Sequence, residues 1–282
     1  MFSLSSLVHF ALLLTGCYLL LSVWLFFSQD AQVFPSPKGW SVTPEQWGMH
    51  YETVPLNSDS HRLINWWIPA DPAQPVVLFF HGNGENIEGT ESHVRLFKKL
   101  GLSVFLLDYR GYGLSDGQSS ELGTKQDGEA AWRYLVEEQG ISPQRIIFYG
   151  HSLGGAVAVS VAMDHPPGKL ILEGAFTSIP DRGAQLYPYL PVRLLARIHY
   201  PTADRLPQLK VPILIIHSKN DEVIPVSHGK KLFDRAQEPK WFYQTGGRHY
   251  SGFSTAGDHS EQILRTFIFS PPSEYGNVRL SD

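Results

Sequence analysis

Hydrophobic positions follow three patterns along this chain. The first is one long run, Leu7–Phe27, of 21 residues without Asp, Glu, Lys or Arg. The second is a set of short, mostly apolar runs: Val76–Phe80, Ser103–Leu107, Arg145–Tyr149, Lys169–Leu172 and Pro212–His217. Short runs without polar alternation suit strands buried on both faces of a parallel sheet. The third is helical spacing between those runs. Val94, Phe97 and Leu100 share a face, with Gly101 as the stop. Thr124–Gln139, the small-residue segment Leu153–Met163 and Ser227–Ala236 predict further helices. Asp258-x-x-Glu261 is expected to cap a last helix carrying Ile263, Leu264, Phe267 and Ile268. Tyr51–Leu56 and Arg62–Ile68 predict strands joined by the polar turn Asn57–Ser60, and Lys240–Tyr243 a last short strand.

This alternation predicts an α/β fold: a mostly parallel sheet covered by helices on both faces. Residues 1–30 are expected to be an N-terminal transmembrane helix, 31–49 a linker and 50–282 the α/β domain. The polar stretch Ser28–Pro44, with Pro35, Pro37, Gly39 and Pro44, reads as irregular connecting chain. Twenty-one residues without Asp, Glu, Lys or Arg, at 1.5 Å each, span a hydrocarbon core of ~30 Å, and Trp24, Phe26 and Phe27 suit an interface. Two alternatives remain open from the sequence. A cleaved signal peptide is one, although Met1–Ser6 has no basic residue. A lipoprotein is the other, because Leu14-Thr15-Gly16-Cys17 resembles a lipobox, although Tyr18–Phe27 stays apolar. Neither flank carries a basic cluster that would orient the helix.

Composition narrows the chemistry. Of 282 residues 43% are hydrophobic and 18% charged, with a net charge of −4. That is a globular composition, and it provides no basic field for nucleic acid. The single cysteine excludes an intramolecular disulfide and a cysteine-based zinc cage. No ligand spacing such as His-Glu-x-x-His appears, so no metal or other cofactor is expected.

In parallel sheets, ligands bind beyond the carboxyl ends of the strands, so chemistry is sought just after each apolar run. There the chain places Gly150-His151-Ser152-Leu153-Gly154, between a strand and a small-residue helix. A serine flanked by glycines at such a turn has the form of a nucleophile elbow, and the following helix aims its N-terminal dipole at the serine. Serine needs a base. On folds with this elbow, an acid and then a histidine follow it in chain order. Of 12 histidines, His249 lies in the turn-rich loop 245–250 between the last strand and the last helix; His259 is the next best placed, ahead of His217 and His228. The acid should follow the 212–217 strand, where Asp221 and Glu222 both stand. The oxyanion donors should be the backbone N–H of Leu153 and one from the Gly-rich loop His81–Asn86, assigned to Asn83.

The segments Phe80-His81-Gly82-Asn83-Gly84, Asp108–Gly117, Gly150–Gly155, Asp221-Glu222-Val223-Ile224-Pro225 and Gly246-Gly247-Arg248-His249 together resemble the membrane-anchored α/β-hydrolase-domain serine hydrolases related to the prolyl-oligopeptidase-like group. The resemblance covers roughly residues 20–270. It implies an α/β-hydrolase fold with a small cap at about 174–210. It also selects Asp221 over Glu222, since the family's aspartate stands in an Asp-x-Val-x-Pro pattern, and it matches His249 to the family's histidine. Two departures appear: Ser218 stands where glycine is common, and Arg248 precedes His249, raising the question of substrate charge. Asp108, Arg110 and Tyr112 are expected to be structural, with an Asp–Arg pair between them.

Within Glu173–Val211, the residues Tyr187, Tyr189, Leu190, Leu194 and Leu195 are expected to form an acyl groove, to dip toward a membrane, or to pack under the cap. The resulting expectation is a membrane-anchored serine hydrolase acting on an ester or thioester, with a small-molecule or lipid ester as substrate and the membrane as partner. A peptidase or amidase, and a non-catalytic anchored binding protein, are the alternatives.

Overall fold

The computed structural model describes residues 3–250, 253–254, 257–270 and 279–281. The strands are β1 (Glu52–Ser58), β2 (His61–Ile68), β3 (Val76–Phe80), β4 (Ser103–Leu107), β5 (Ile146–His151), β6 (Lys169–Glu173), β7 (Ile213–Ser218), β8 (Lys240–Thr245) and β9 (Arg279–Ser281). They form one sheet in the order β1-β2-β4-β3-β5-β6-β7-β8-β9. β1, β2 and β4 pair antiparallel, and every pair from β4–β3 onward is parallel.

Period two decides which core each residue of a wholly buried strand joins. Leu78, Phe80, Phe148, Leu170, Leu172 and Ile215 face one side, with the helices α3 (Glu121–Arg133), α4 (Leu153–Ala162) and α8 (Val226–Arg235). Val77, Phe79, Ile147, Tyr149, Ile171 and Leu214 face the other, with α2 (Glu91–Lys99) and α9 (Asp258–Phe269). Between β6 and β7 the chain makes three short helices, α5 (Ile179–Leu186), α6 (Val192–Leu195) and α7 (Thr202–Arg205).

The structure differs from the sequence reading at several points. The N-terminal helix α1 runs from Leu4 to Val33, through residues 28–33 that were expected to be irregular. Its last turns continue because Gln29, Asp30 and Gln32 all find partners on the segment between β6 and β7. Gly257, not Asp258, is the N-cap of α9, and no side chain caps it, so the spacing of a capping box is present without its hydrogen bonds. The β1–β2 turn tightens to Asp59–Ser60, with Asp59 at φ +50°. Strand β9 lies outside every hydrophobic run and pairs parallel with β8. Asp108 does not pair with Arg110. Arg110 instead binds Asp127 (2.8 Å) and reaches Asp59 (3.5 Å), while Asp108 accepts from Trp40 Nε1 (3.1 Å) and lies 3.2 Å from His81 Nε2.

Candidate active site

Ser152 sits between β5 and α4 at φ +53°, ψ −117°. A non-glycine residue in this region is strained by of order 1–3 kcal/mol and persists only where surrounding structure imposes it. The imposition is visible. Ser152 N–H donates to Glu173 O at 2.8 Å, which fixes the turn to the end of β6. A side chain at Gly154 would collide with the Phe80 carbonyl, and one at Gly150 with the Gly154 carbonyl. The flanking glycines are therefore required by the close crossing of α4 over β3 and β5.

His249 and Asp221 reach the serine from two other loops. His249 Nε2 lies 2.9 Å from Ser152 Oγ, and its Nδ1 lies 2.7 Å from Asp221 Oδ2. Because a carboxylate only accepts, Nδ1 carries the proton and Nε2 is left as the acceptor facing the hydroxyl. Asp221 Oδ1 accepts from Val223 N–H (2.8 Å) and Ile224 N–H (2.6 Å). Burial alone would raise the Asp221 pKa; the His249 hydrogen bond and charge, with the Ile224 N–H and His217, outweigh it and hold the carboxyl below its ordinary value. Glu222 takes a different position. It accepts from Arg248 Nε (2.9 Å) and from His249 N–H (3.2 Å). Arg248 is 79% exposed and paired to Glu222, so its charge is turned to solvent.

Asn83 and Leu153 line the same cavity as Ser152. Leu153 is the first residue of α4, where helix N–H groups have no acceptor within the helix. The loop bearing Asn83 is braced from below: Tyr112 OH donates to Asn83 O (3.1 Å) and Tyr109 OH to His81 O (3.2 Å). The cavity has a volume of about 380 Å³, within the range of small-molecule sites. Its walls are largely apolar, with Phe176, Ile179, Val223 and Ile224 among the lining residues, and Arg182 and Glu222 are the charged residues on the lining. Of the five residues from which a groove was expected, Tyr187 and Leu195 line this cavity. Tyr189 and Leu194 are 89% and 84% exposed, and Leu190 is partly buried. His217 and His228 are buried structural groups: His217 Nε2 donates to Ile224 O, and His228 bonds Thr177 and Gln185.

A buried polar network behind the serine was missed by the sequence reading. His151 has Nδ1 3.0 Å from Glu85 Oε1 and Nε2 3.2 Å from His249 O. Both partners only accept, so both ring nitrogens donate and His151 is an imidazolium. Burial would lower its pKa, but the Glu85 hydrogen bond and charge, with Glu173, raise it to about 9. Glu85 also accepts from Gly82 N–H (3.2 Å), and His151 holds its pKa below the ordinary value against the opposing effect of burial. The pair thus ties together the loop bearing Asn83, the turn bearing Ser152 and the loop bearing His249. Beside it, Glu173 Oε2 accepts from Tyr149 OH (2.6 Å) and His93 Nε2 (2.8 Å). Burial would raise the Glu173 pKa, but His93, with His151 and Tyr149, lowers it to about 2. The one signal available in the sequence was a histidine at the variable position of Gly-x-Ser-x-Gly.

The signs of these shifts define a working range. The favourable contribution of His151 is complete below its ordinary value and lost as pH rises through about 9. That of Glu85 is complete above its ordinary value and lost as pH falls through its lowered one. Glu85→Gln keeps an acceptor but removes the charge that holds the His151 proton. The alkaline limb of kcat/KM is then expected to move to lower pH by about one unit or more. An unmoved limb in the variant would show that the pair does not act on the site.

A sheet of this order, with a serine elbow at the carboxyl end of a central strand, defines a hydrolase of the α/β class. Relatives agree. The family model described as serine aminopeptidase, S33, matches residues 71–203. The chain is 38% identical over 216 residues to the uncharacterized protein Rv2307c of Mycobacterium tuberculosis, covering 76% of this chain and 75% of that protein. It is 35% identical over 218 residues to the alpha/beta hydrolase domain-containing protein WAV2 of Arabidopsis thaliana, covering 71% of each. An esterase of Pyrococcus furiosus shares the fold at a TM-score of 0.68 and 19% identity, over 82% of this chain and 96% of that structure. The chain belongs to the α/β-hydrolase family.

Proposed function

We propose that this protein is a membrane-anchored serine hydrolase that cleaves a carboxylic ester or thioester bearing an acyl chain. The observation that carries this reading is the continuous contact from Asp221 Oδ2 through His249 to Ser152 Oγ, at 2.7 and 2.9 Å, on the wall of an apolar cavity. In this reading, His249 Nε2 takes the Ser152 proton as Oγ attacks the carbonyl carbon. The oxyanion is held by the N–H groups of Leu153 and Asn83. His249 then returns the proton to the departing alcohol or thiol, leaving an acyl-serine that water opens by the same steps. Asp221 holds the imidazole tautomer and stabilises the imidazolium. α1 supplies the anchor: it is 30 residues long with a mean hydropathy of 2.2 in its most apolar window, and it is almost entirely exposed before Ser22.

The family description favours one second reading, cleavage of an amide by the same residues. The cavity lining carries one cation, Arg182, and one anion, Glu222, so its charge does not choose between the two. Turnover of an ester and an amide of one acyl group separates the two.

The reading is tested by fluorophosphonate labelling of the detergent-solubilised full chain, located by peptide mapping. Labelling is expected at Ser152 and is expected to need His249. An unlabelled, folded wild-type protein would instead point to a binding protein on this fold.

A further inference from the structure

The last turns of α1 are not a free stalk. Ser22, Leu25 and Gln29 are buried, and Phe26, Gln32 and Val33 partly so. This spacing marks one helical face, and it is docked against the segment between β6 and β7. Gln29 makes the joint with both ends of its amide: Nε2 donates to Leu195 O (2.9 Å), and Oε1 accepts from Arg197 N–H (2.8 Å). Arg197 Nη2 reaches Asp30 (2.7 Å), and its guanidinium lies 5.2 Å from the Phe26 ring. Tyr187 OH donates to Gln32 Oε1 (3.0 Å).

This docking has a consequence for the cavity at Ser152. Leu25, Gln29, Gln32 and Val33 are among the residues that line it. One wall of the site is therefore made by the helix that carries the membrane-spanning run. Leu4 to Leu21 comprise 18 residues, about 27 Å of helix at 1.5 Å per residue, close to a ~30 Å hydrocarbon core. The docked turns begin immediately after that length, which would place the cavity at the surface of a bilayer spanned by Leu4–Leu21. Exposed apolar side chains stand close to the lining residues in sequence: Trp24 precedes Leu25, Phe27 lies two residues beyond it, and Leu194 precedes Leu195. Such side chains belong at a bilayer interface rather than in water.

We infer that α1 is one wall of an acyl-binding cleft, and that the cleft takes the long acyl chain of an ester or thioester directly from the bilayer, between α1 and the α5–α6 segment. This inference rests on Ser152 being the nucleophile of a hydrolase. It assigns to Leu25 and Val33 a role in chain selection and to Gln29 the role of holding the wall in place.

The test uses the wild-type full chain in phosphatidylcholine vesicles. The probe is a hexadecyl fluorophosphonate with a diazirine midway along its chain. Ser152 Oγ displaces fluoride from phosphorus, and irradiation then cross-links the chain to its surroundings. Cross-links are expected on peptides from residues 22–33 and 179–196. Labelling of Ser152 with cross-links confined to other peptides would overturn the inference and leave the hydrolase reading intact. Absence of labelling would overturn the hydrolase reading itself. As a second measurement, Leu25→Trp is expected to lower the ratio of palmitoyl to acetyl p-nitrophenyl ester kcat/KM by about tenfold or more. An unchanged ratio would also overturn the inference.

Discussion

Ser152→Ala is expected to lower kcat for a short acyl ester by about 10⁶-fold, and His249→Ala by a similar factor. The reason is that neither group acts alone. The serine hydroxyl is a poor nucleophile at neutral pH, and His249 Nε2 at 2.9 Å is the acceptor in place to take its proton. Removing either one leaves the cavity and the proposed oxyanion donors, which by themselves sustain only a residual rate. The double variant is therefore expected to be no slower than the worse single variant. Steady-state kinetics of the three proteins with one ester substrate check this. Losses that multiply would mean that the two residues act independently, and the proposed mechanism would have to be abandoned.

Asp221→Asn is expected to lower kcat by about 10⁴-fold while leaving the fold intact. Oδ1 of Asp221 accepts two backbone N–H groups, from Val223 and Ile224. An asparagine must keep its carbonyl oxygen there, which turns its amide NH₂ toward His249 Nδ1. That nitrogen must then accept, so the ring proton moves to Nε2 and the base facing Ser152 is lost. Glu222→Gln is expected to cost far less, because Glu222 touches the backbone of His249 rather than its ring. The Asp221 pKa, raised by burial but lowered on balance by His249, the Ile224 N–H and His217 together, gives the pH sign. Its contribution is complete above the ordinary aspartate value and lost as pH falls through the lowered one. Circular dichroism alongside kcat separates the effect on catalysis from one on folding. Equal losses at the two positions would remove the basis for assigning the acid to Asp221.

The fold was legible because its signals are local. Buried parallel strands such as β3 and β5 must be apolar on both faces, and the glycines around Ser152 are demanded by a close crossing that few other residues permit. The position of His249 was readable from topology, since the loop after β8 meets the carboxyl end of β5. Other features left no local trace. β9, three residues long, falls outside every hydrophobic run, and its place beside β8 is a long-range pairing. Arg110 and Asp108 are two residues apart, yet each turns to a distant partner, Asp127 in one case and Trp40 in the other. Position 258 offered the residue types of a capping box, but the chain enters α9 through Gly257 and the box does not form.

The sequence by itself determined the layered α/β architecture, the strained serine turn and the uncharged N-terminal helix, because periodicity, glycine placement and length each reflect a constraint within one segment. Only the tertiary structure decided that Glu85, His151 and the His249 backbone form one charged clamp, and that α1 closes the cavity beside Ser152. Both depend on groups far apart in the chain meeting at hydrogen-bond distance, Gln29 with Leu195 and Glu85 with His151. Those meetings are set by how the layers pack, which no single segment encodes.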